Sequence, residues 1–433
     1  MKAKPKRLLT PLLSAVALGI SASLSLAAAT FTDANWTALG SGVNDQVVGV
    51  AVSGCNVYAG GYFTNAGSLP ASYIAKWNGS GWSSLGSGAG GDPSFVGVWA
   101  LAVSDSNLYA GGSFTNAGGV RAHYTAEWDG STWSALGSGM NHWVYALAVS
   151  GSNLYAGGYF TFAGGSAANR IAEWNGSSWS ALSSGMNASV YALAVSGTDL
   201  YAGGNFTNAG GGAAYYIARW DGSSWSPLGS GMNSPVYDLA ASGSDLYAAG
   251  SFTTAGGSPA SYIAKWNGSS WSALGSGMNA SVAALAASGT DLYAGGQFTT
   301  AGGSLANHLA KWDGSSWSAL GSGLNGDVYN LAISGNDLYA GGAFTTAGGK
   351  RATYIARAYL LPLPTLSVRR SGADVRVSWP SADTDGFALE QAPALTAPAS
   401  WVSNTASVTD DGTNKSVTLP ATNPAQFFRL RRQ

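Results

Sequence analysis

Between residues 30 and 360 the chain cycles through short apolar runs separated by glycine and small polar residues. VYALAV at 144–149 alternates with period two and predicts a strand. A turn of the form SG-x-D/N follows, then LYAGG-x-FT, a second strand with a Gly pair inside it. A longer linker, AGG-x-x-A, leads to YIA-x-W, a third strand. An Asn-Gly or Asp-Gly pair comes next, as at Asn175-Gly176 and Asp221-Gly222. Such a pair supplies the positive φ of a tight hairpin and turns the chain back as a fourth strand, WSALG.

This unit repeats. The Trp that opens WS-x-LG stands at Trp36, Trp82, Trp133, Trp179, Trp225, Trp271 and Trp317, at spacings of 46 residues except for one of 51. Four antiparallel strands recurring every ~45 residues mark a β-propeller blade. The repeats enter on a fourth strand at Trp36 and leave on a third strand at 354–359, which lacks its DGSSW partner. Each end supplies what the other lacks. The expectation is an all-β chain: a seven-bladed β-propeller over 30–360, its N-terminal strand closing the last blade, followed by a small β-sandwich. The Trp pair of each hairpin, such as Trp174 and Trp179, is expected to pack between blades.

The flanks read differently. Lys2, Lys4, Lys6 and Arg7 precede an apolar stretch ending in Ala27-Ala28-Ala29, the pattern of a secretory signal peptide over 1–29. An uncleaved N-terminal anchor is the alternative, and no transmembrane segment is expected after signal cleavage. LPLP at 361–364 reads as a rigid linker. Residues 365–433 alternate again, with Asp-Gly turns, and predict a small sandwich of fibronectin type III or immunoglobulin kind.

Composition narrows the chemistry. Only 9% of residues are charged, and residues 30–361 carry 9 Lys and Arg against 15 Asp and Glu. With no basic patch, nucleic acid is not an expected partner. Cys55 is the single cysteine, so no internal disulfide framework is expected. His123, His142 and His308 fall in different repeats without metal-ligand spacing, and no metal or cofactor is predicted. The Gly pairs lie inside strands and precede no helix, so they are not phosphate cradles. Recurrent Asp199, Asp245, Asp291 and Asp337 suit turns. The variable charge in IA-x-W (Lys76, Glu127, Glu173, Arg219, Lys265, Lys311, Arg357) reads as a solvent-facing position.

The motifs GG-x-F-T-x-AGG, IA-x-WDG and W-x-x-LG resemble the propeller repeats of fungal cortical marker proteins and of many secreted bacterial proteins, and more distantly kelch-type propellers. The resemblance spans about 330 residues. It implies an extracellular or surface binding module. The tail, with LSV-x-RSG-x-x-V-x-VSWP and QFFRLR, resembles a C-terminal module of exported proteins of the Verrucomicrobia–Planctomycetes group, which implies a spacer or surface-attachment role; a carbohydrate-binding sandwich is the alternative.

Ligand specificity is expected where the repeat breaks. Propeller topology puts the fourth-to-first and second-to-third strand loops on one face. The first set offers Asp45, Gln46, Asp92, Phe95, His142, Trp143 and Asp327, with a five-residue insertion around Asp92. The second offers Arg121, His123, Phe162, Arg170, Tyr215, His308, Lys350 and Arg351. Aromatics beside mixed polar groups suit an extracellular glycan or protein. Two alternatives stay open: a secreted glycan-active enzyme using Asp45, Asp92 and Asp327, and a purely structural surface or matrix protein. A repeated Asn (Asn44, Asn141, Asn187, Asn233, Asn279, Asn325) is expected to bond the blade-connecting backbone.

Overall fold

A computed structural model describes residues 31–91, 95–382, 384, 386–393, 401–420 and 427–432. The expected signal peptide and Asp92 lie outside the described residues. Among the described residues, seven four-stranded antiparallel sheets lie between residues 36 and 359; six run in sequence order from an inner strand outward, and the last takes its outer strand from the start of the repeats. One blade consists of Val144–Ser150, Asn153–Gly158, Ile171–Trp174 and Trp179–Ala181. The inner strands neighbour one another in a closed circle: Val47–Ser53 lies beside Val98–Ser104 on one side and Val328–Ser334 on the other. Trp36–Ala38 forms the outer strand of the last sheet, with Trp36 opposite Ala358 and Ala38 opposite Ala356. The chain is an all-β propeller.

Packing between blades follows the repeated letters. Phe63, Phe114, Phe160, Phe206, Phe252, Phe298 and Phe344 are fully buried. Each outer-strand Trp donates its indole N–H to a Leu carbonyl of the preceding blade. Trp179 reaches Leu136 at 2.8 Å, and Trp36 reaches Leu320 at 3.2 Å, which completes the circle. In the six blades other than the last, the hairpin partner Trp packs against the outer-strand Trp at a tilt, with Trp174 and Trp179 centroids 5.5 Å apart. The turn between them is held by its Asx residue, as where Asp221 Oδ1 accepts from the N–H groups of Ser223 and Ser224 at 2.8 Å.

The Gly pair answers to a bulge. Val144 stands opposite Gly158 and Ala146 opposite Gly157, which leaves Tyr145 as an extra inner-strand residue. A bulge bends its strand and re-aims a side chain. A Cβ on Gly158 would lie against the Trp143 carbonyl oxygen, while one on Gly157 would stand 2.6 Å from Val190 Cγ1 of the next blade. The same register shift occurs in all seven inner strands.

The variable charge in IA-x-W is not a free solvent position. It pairs with the turn residue across the strand: Arg219 with Asp199, Lys265 with Asp245 and Lys311 with Asp291, each at 2.6 Å. In two blades the turn holds Asn and the third strand holds Glu, paired as Asn107–Glu127 at 2.6 Å and Asn153–Glu173 at 2.5 Å. Arg219 stands opposite Tyr201, so the ion pair is the diagonal one, two positions along the partner strand on the same face.

In the tail, Ser367–Ser371, Asp374–Pro380, Asn414–Pro420 and Thr409–Asp410 form one sheet. Val402–Ser403, Phe387–Ala392 and Phe427–Arg432 form a second. They share a small core of Val377, Trp379, Val417 and Leu419 from the first and Leu389 from the second.

Candidate functional site

The seven bulges present Val48, Trp99, Tyr145, Tyr191, Tyr237, Ala283 and Tyr329 to a common cavity of about 430 Å³ on the propeller axis. Tyr62, Phe95 and Trp143 line it from the loops, and Asp238 and Asn330 line it one residue further along their inner strands. The aromatic rings touch in sequence. Trp99 stacks on Tyr145 at 5.5 Å, Tyr145 meets Tyr191 at 5.5 Å, and Tyr191 meets Tyr237 at 6.1 Å. Phe95 packs on Trp99 at 5.8 Å and on Trp143 at 5.2 Å, and is 52% exposed.

The belt continues outward over the loop face. His142 contacts Trp143 at 4.7 Å and Tyr159 at 4.8 Å and stacks on Tyr124. The Arg170 guanidinium sits 4.8 Å from the centre of the Tyr159 ring. Phe95, His142, Trp143 and Arg170 are therefore brought together by the fold. Trp99, Tyr145 and Asp238 join them without having been singled out in the sequence, and so does Tyr159, one of the letters that vary between repeats.

Electrostatics follow burial. Burial, and then the neighbouring Tyr191, push the Tyr145 hydroxyl up to about 12. Burial, and then the Arg170 charge, lower His142 and favour its neutral form. Asp238 is pushed up to about 7, because enclosure by the inner strands strips water from its carboxylate, although two backbone N–H groups oppose the shift. Those donors are Leu239 to Oδ1 at 2.8 Å and Leu285 of the next blade to Oδ2 at 2.7 Å.

The remaining expected residues occupy separate places. Arg121 donates to His123 Nε2 at 2.9 Å, and His123 and Phe162 border a second hollow of about 390 Å³. His308 Nδ1 lies 3.6 Å from Asp327 Oδ1, and Gln297 donates to Asp327 Oδ2 at 3.2 Å. Asp45 Oδ1 accepts the N–H of Gln46, a local turn contact. Tyr215 is half-exposed and Arg351 is exposed.

Lys350 serves ring closure: its ammonium donates to the carbonyls of Ala34 and Trp36. The repeated Asn is a staple. Asn187 Oδ1 accepts from the N–H groups of Thr207 and Asn208, and its amide donates to Thr207 Oγ1 at 2.9 Å. This ties the fourth-to-first connection to the second-to-third hairpin, where Met186 also bridges Ala209. Both loop sets thus share one face. In the second unit Gly90 replaces the Asn, and its backbone carbonyl accepts from Thr115 N–H instead.

The axial residues carried a faint signal. The inner-strand slot reads Tyr in most units, and VYDLAAS has the one acidic letter where sister strands have a small or amide residue.

No family model matches the chain, and no curated protein does. Among solved structures it is similar to the computationally designed protein Ika8, at 17% identity and a TM-score of 0.46, covering 73% of this chain and 97% of that one. BamB from Moraxella catarrhalis matches at 15% identity and a TM-score of 0.33, over 72% of this chain and 82% of that one. The Pan2 WD40 domain of Neurospora crassa matches at 10% identity and a TM-score of 0.34, over 76% and 90%. These likenesses are too distant to carry function, and the propeller assignment rests on the chain's own strand order, bulges and closed circle of blades.

Proposed function

We propose that this protein is an exported binding or adhesion module that recognises a glycan through the loop face of its propeller. One observation carries the reading: exposed Phe95 and half-buried Trp143 form an aromatic platform edged by His142, Tyr159 and Arg170. Aromatic faces stack on the C–H faces of sugar rings, and a few convergent polar groups orient the hydroxyls. The first 29 residues support export, and the repeat motifs support kinship with secreted kelch-like propellers. In this reading 365–433 is a separate fibronectin-like module that spaces or attaches the propeller, joined through 361–364.

A glycan array followed by calorimetry on the purified protein tests the reading. Trp143→Ala is expected to weaken binding about 30-fold or more, as truncation of an aromatic anchor does. An array without hits, or affinity untouched by both Trp143→Ala and Phe95→Ala, would overturn it.

A further inference from the structure

We propose that the axial cavity binds a small organic cation, an alkylated ammonium of the choline type, held against the aromatic ring at Trp99, Tyr145, Tyr191 and Tyr237 and countered by the Asp238 carboxylate. The glycan reading uses Phe95 and Trp143, which line the mouth of the same cavity, so the two readings are probed with different ligands and different variants.

The seven bulges aim seven side chains at one axis, and five of the seven are aromatic. They do not fill the space, since about 430 Å³ remains between them. A cation over an aromatic face is attracted by the ring quadrupole, most strongly where water is excluded. A quaternary ammonium needs no hydrogen-bond acceptors, whereas a primary ammonium asks for three.

Charge points the same way. Asp238 is the only charged residue lining the cavity among the described residues, and no Lys or Arg lines it. Each of its oxygens takes one backbone N–H and keeps further acceptor capacity.

A purely structural role does not explain the acid. Asn330 occupies the equivalent position in the seventh blade, and its Oδ1 accepts Val50 N–H of the neighbouring blade at 3.1 Å. Asp238 makes the corresponding bond to Leu285. A neutral amide therefore suffices to staple one inner strand to the next. The other five sister positions, Gly49, Ala100, Ala146, Ala192 and Ala284, need no staple at all. A half-buried carboxylate beside aromatic faces, with no Lys or Arg lining the cavity, is a negative charge that a bound cation would offset.

The other titratable groups facing the cavity are Tyr62, Tyr145, Tyr191, Tyr237 and Tyr329, with Asp45 and Asp327 acting on Tyr62 and Tyr329 from the loops. Burial raises Tyr62, Tyr145 and Tyr329, so these hydroxyls stay protonated near neutrality. His142 stands at the mouth and is held towards neutrality. Asp238 is then the group whose ionisation governs cation affinity between pH 5.5 and pH 8.5, a window chosen to bracket about 7.

The test is a titration of the full-length protein, followed by tryptophan fluorescence and calorimetry, with choline, tetramethylammonium, ethanolamine and the neutral isostere 3,3-dimethylbutan-1-ol. Choline and tetramethylammonium are expected to saturate one site about tenfold more tightly than the other two, and about tenfold more tightly at pH 8.5 than at pH 5.5. Asp238→Asn, which keeps a staple of the Asn330 kind, is expected to weaken choline about tenfold at pH 8.5 and to abolish the pH dependence. Tyr191→Ala, at a residue that lines the cavity and makes no ring contact with Phe95 or Trp143, is expected to weaken choline and to leave glycan binding unchanged, so either reading can fail alone. Phosphatidylcholine vesicles separate the sources: co-sedimentation that free choline displaces places the cation on a lipid headgroup, and its lack beside bound free choline places it in solution. Equal affinity for choline and its neutral isostere, or no saturation by choline in the folded wild-type protein, overturns the proposal.

Discussion

Thr125 occupies a slot that holds Ile74, Ile171, Ile217, Ile263, Leu309 and Ile355 in the other blades. It is fully buried, and its hydroxyl has no hydrogen-bond partner among the described residues. A buried hydroxyl without a partner is destabilising, so Thr125→Val, nearly identical in shape, should raise stability by about 1 kcal/mol. A shifted urea midpoint with unchanged slope would show it. Asp238 offers a second residue-scale outcome. Its proton affinity in the folded chain exceeds the unfolded value of 3.8, with a folded value of about 7. Between these values the native state holds a proton that the unfolded chain releases. Stability from this group therefore falls as pH rises through that window and levels off above about 7. Relative to Asp238→Asn, the wild type should lose roughly 2–4 kcal/mol between pH 4 and pH 8. Paired thermal melts across pH check the sign, and parallel curves would contradict the assigned environment.

At the scale of the element, the bulge gives the two glycines of each second strand unequal roles. The second faces a carbonyl oxygen of its own blade, as Gly158 faces Trp143. Backbone there has little room to yield, so Gly158→Ala should cost about 3 kcal/mol or more. The first faces a Val side chain of the next blade, and the fifth blade already holds Ala249 at that position. Gly157→Ala should cost clearly less, and denaturant titration of the two variants side by side gives the comparison. The Asn staple belongs to this scale too. Asn187→Ala removes three hydrogen bonds at an exposed site and should cost about 1–2 kcal/mol, read by the same titration. The repeat unit and its turns were legible because alternation and Asx-Gly pairs act over a few residues. The pairing of Arg219 with Asp199 was not, because it depends on which positions lie diagonally across the two strands, and that follows from register.

For the whole molecule, stability turns on closing the circle. Trp36 is fully buried and donates to Leu320, Asn35 donates to the carbonyls of Tyr359 and Leu361, and Asp33 accepts from Ser322 N–H. Trp36→Ala should cost about 3–5 kcal/mol, in the range for truncating a buried aromatic. Beyond that loss, it should expose the edge at Ile355–Tyr359 to proteolysis before any other blade. Limited proteolysis with fragment mass analysis locates the first cut, and a first cut in another blade would argue against closure as the weak point.

The amino-acid sequence by itself determined the blade. Its strand alternation, its hairpin turns, the Trp-to-Trp spacing and the complementary chain ends are all local or periodic facts that one chain states many times. Only the tertiary structure decided the axis. Trp99, Tyr145, Tyr191, Tyr237 and Tyr329 look like ordinary members of half-buried strands until a bulge turns each inward and ring closure brings residues far apart in sequence around one cavity. Asp238 is one acidic letter in the sequence. Its withdrawal from water belongs to the ring of strands around it.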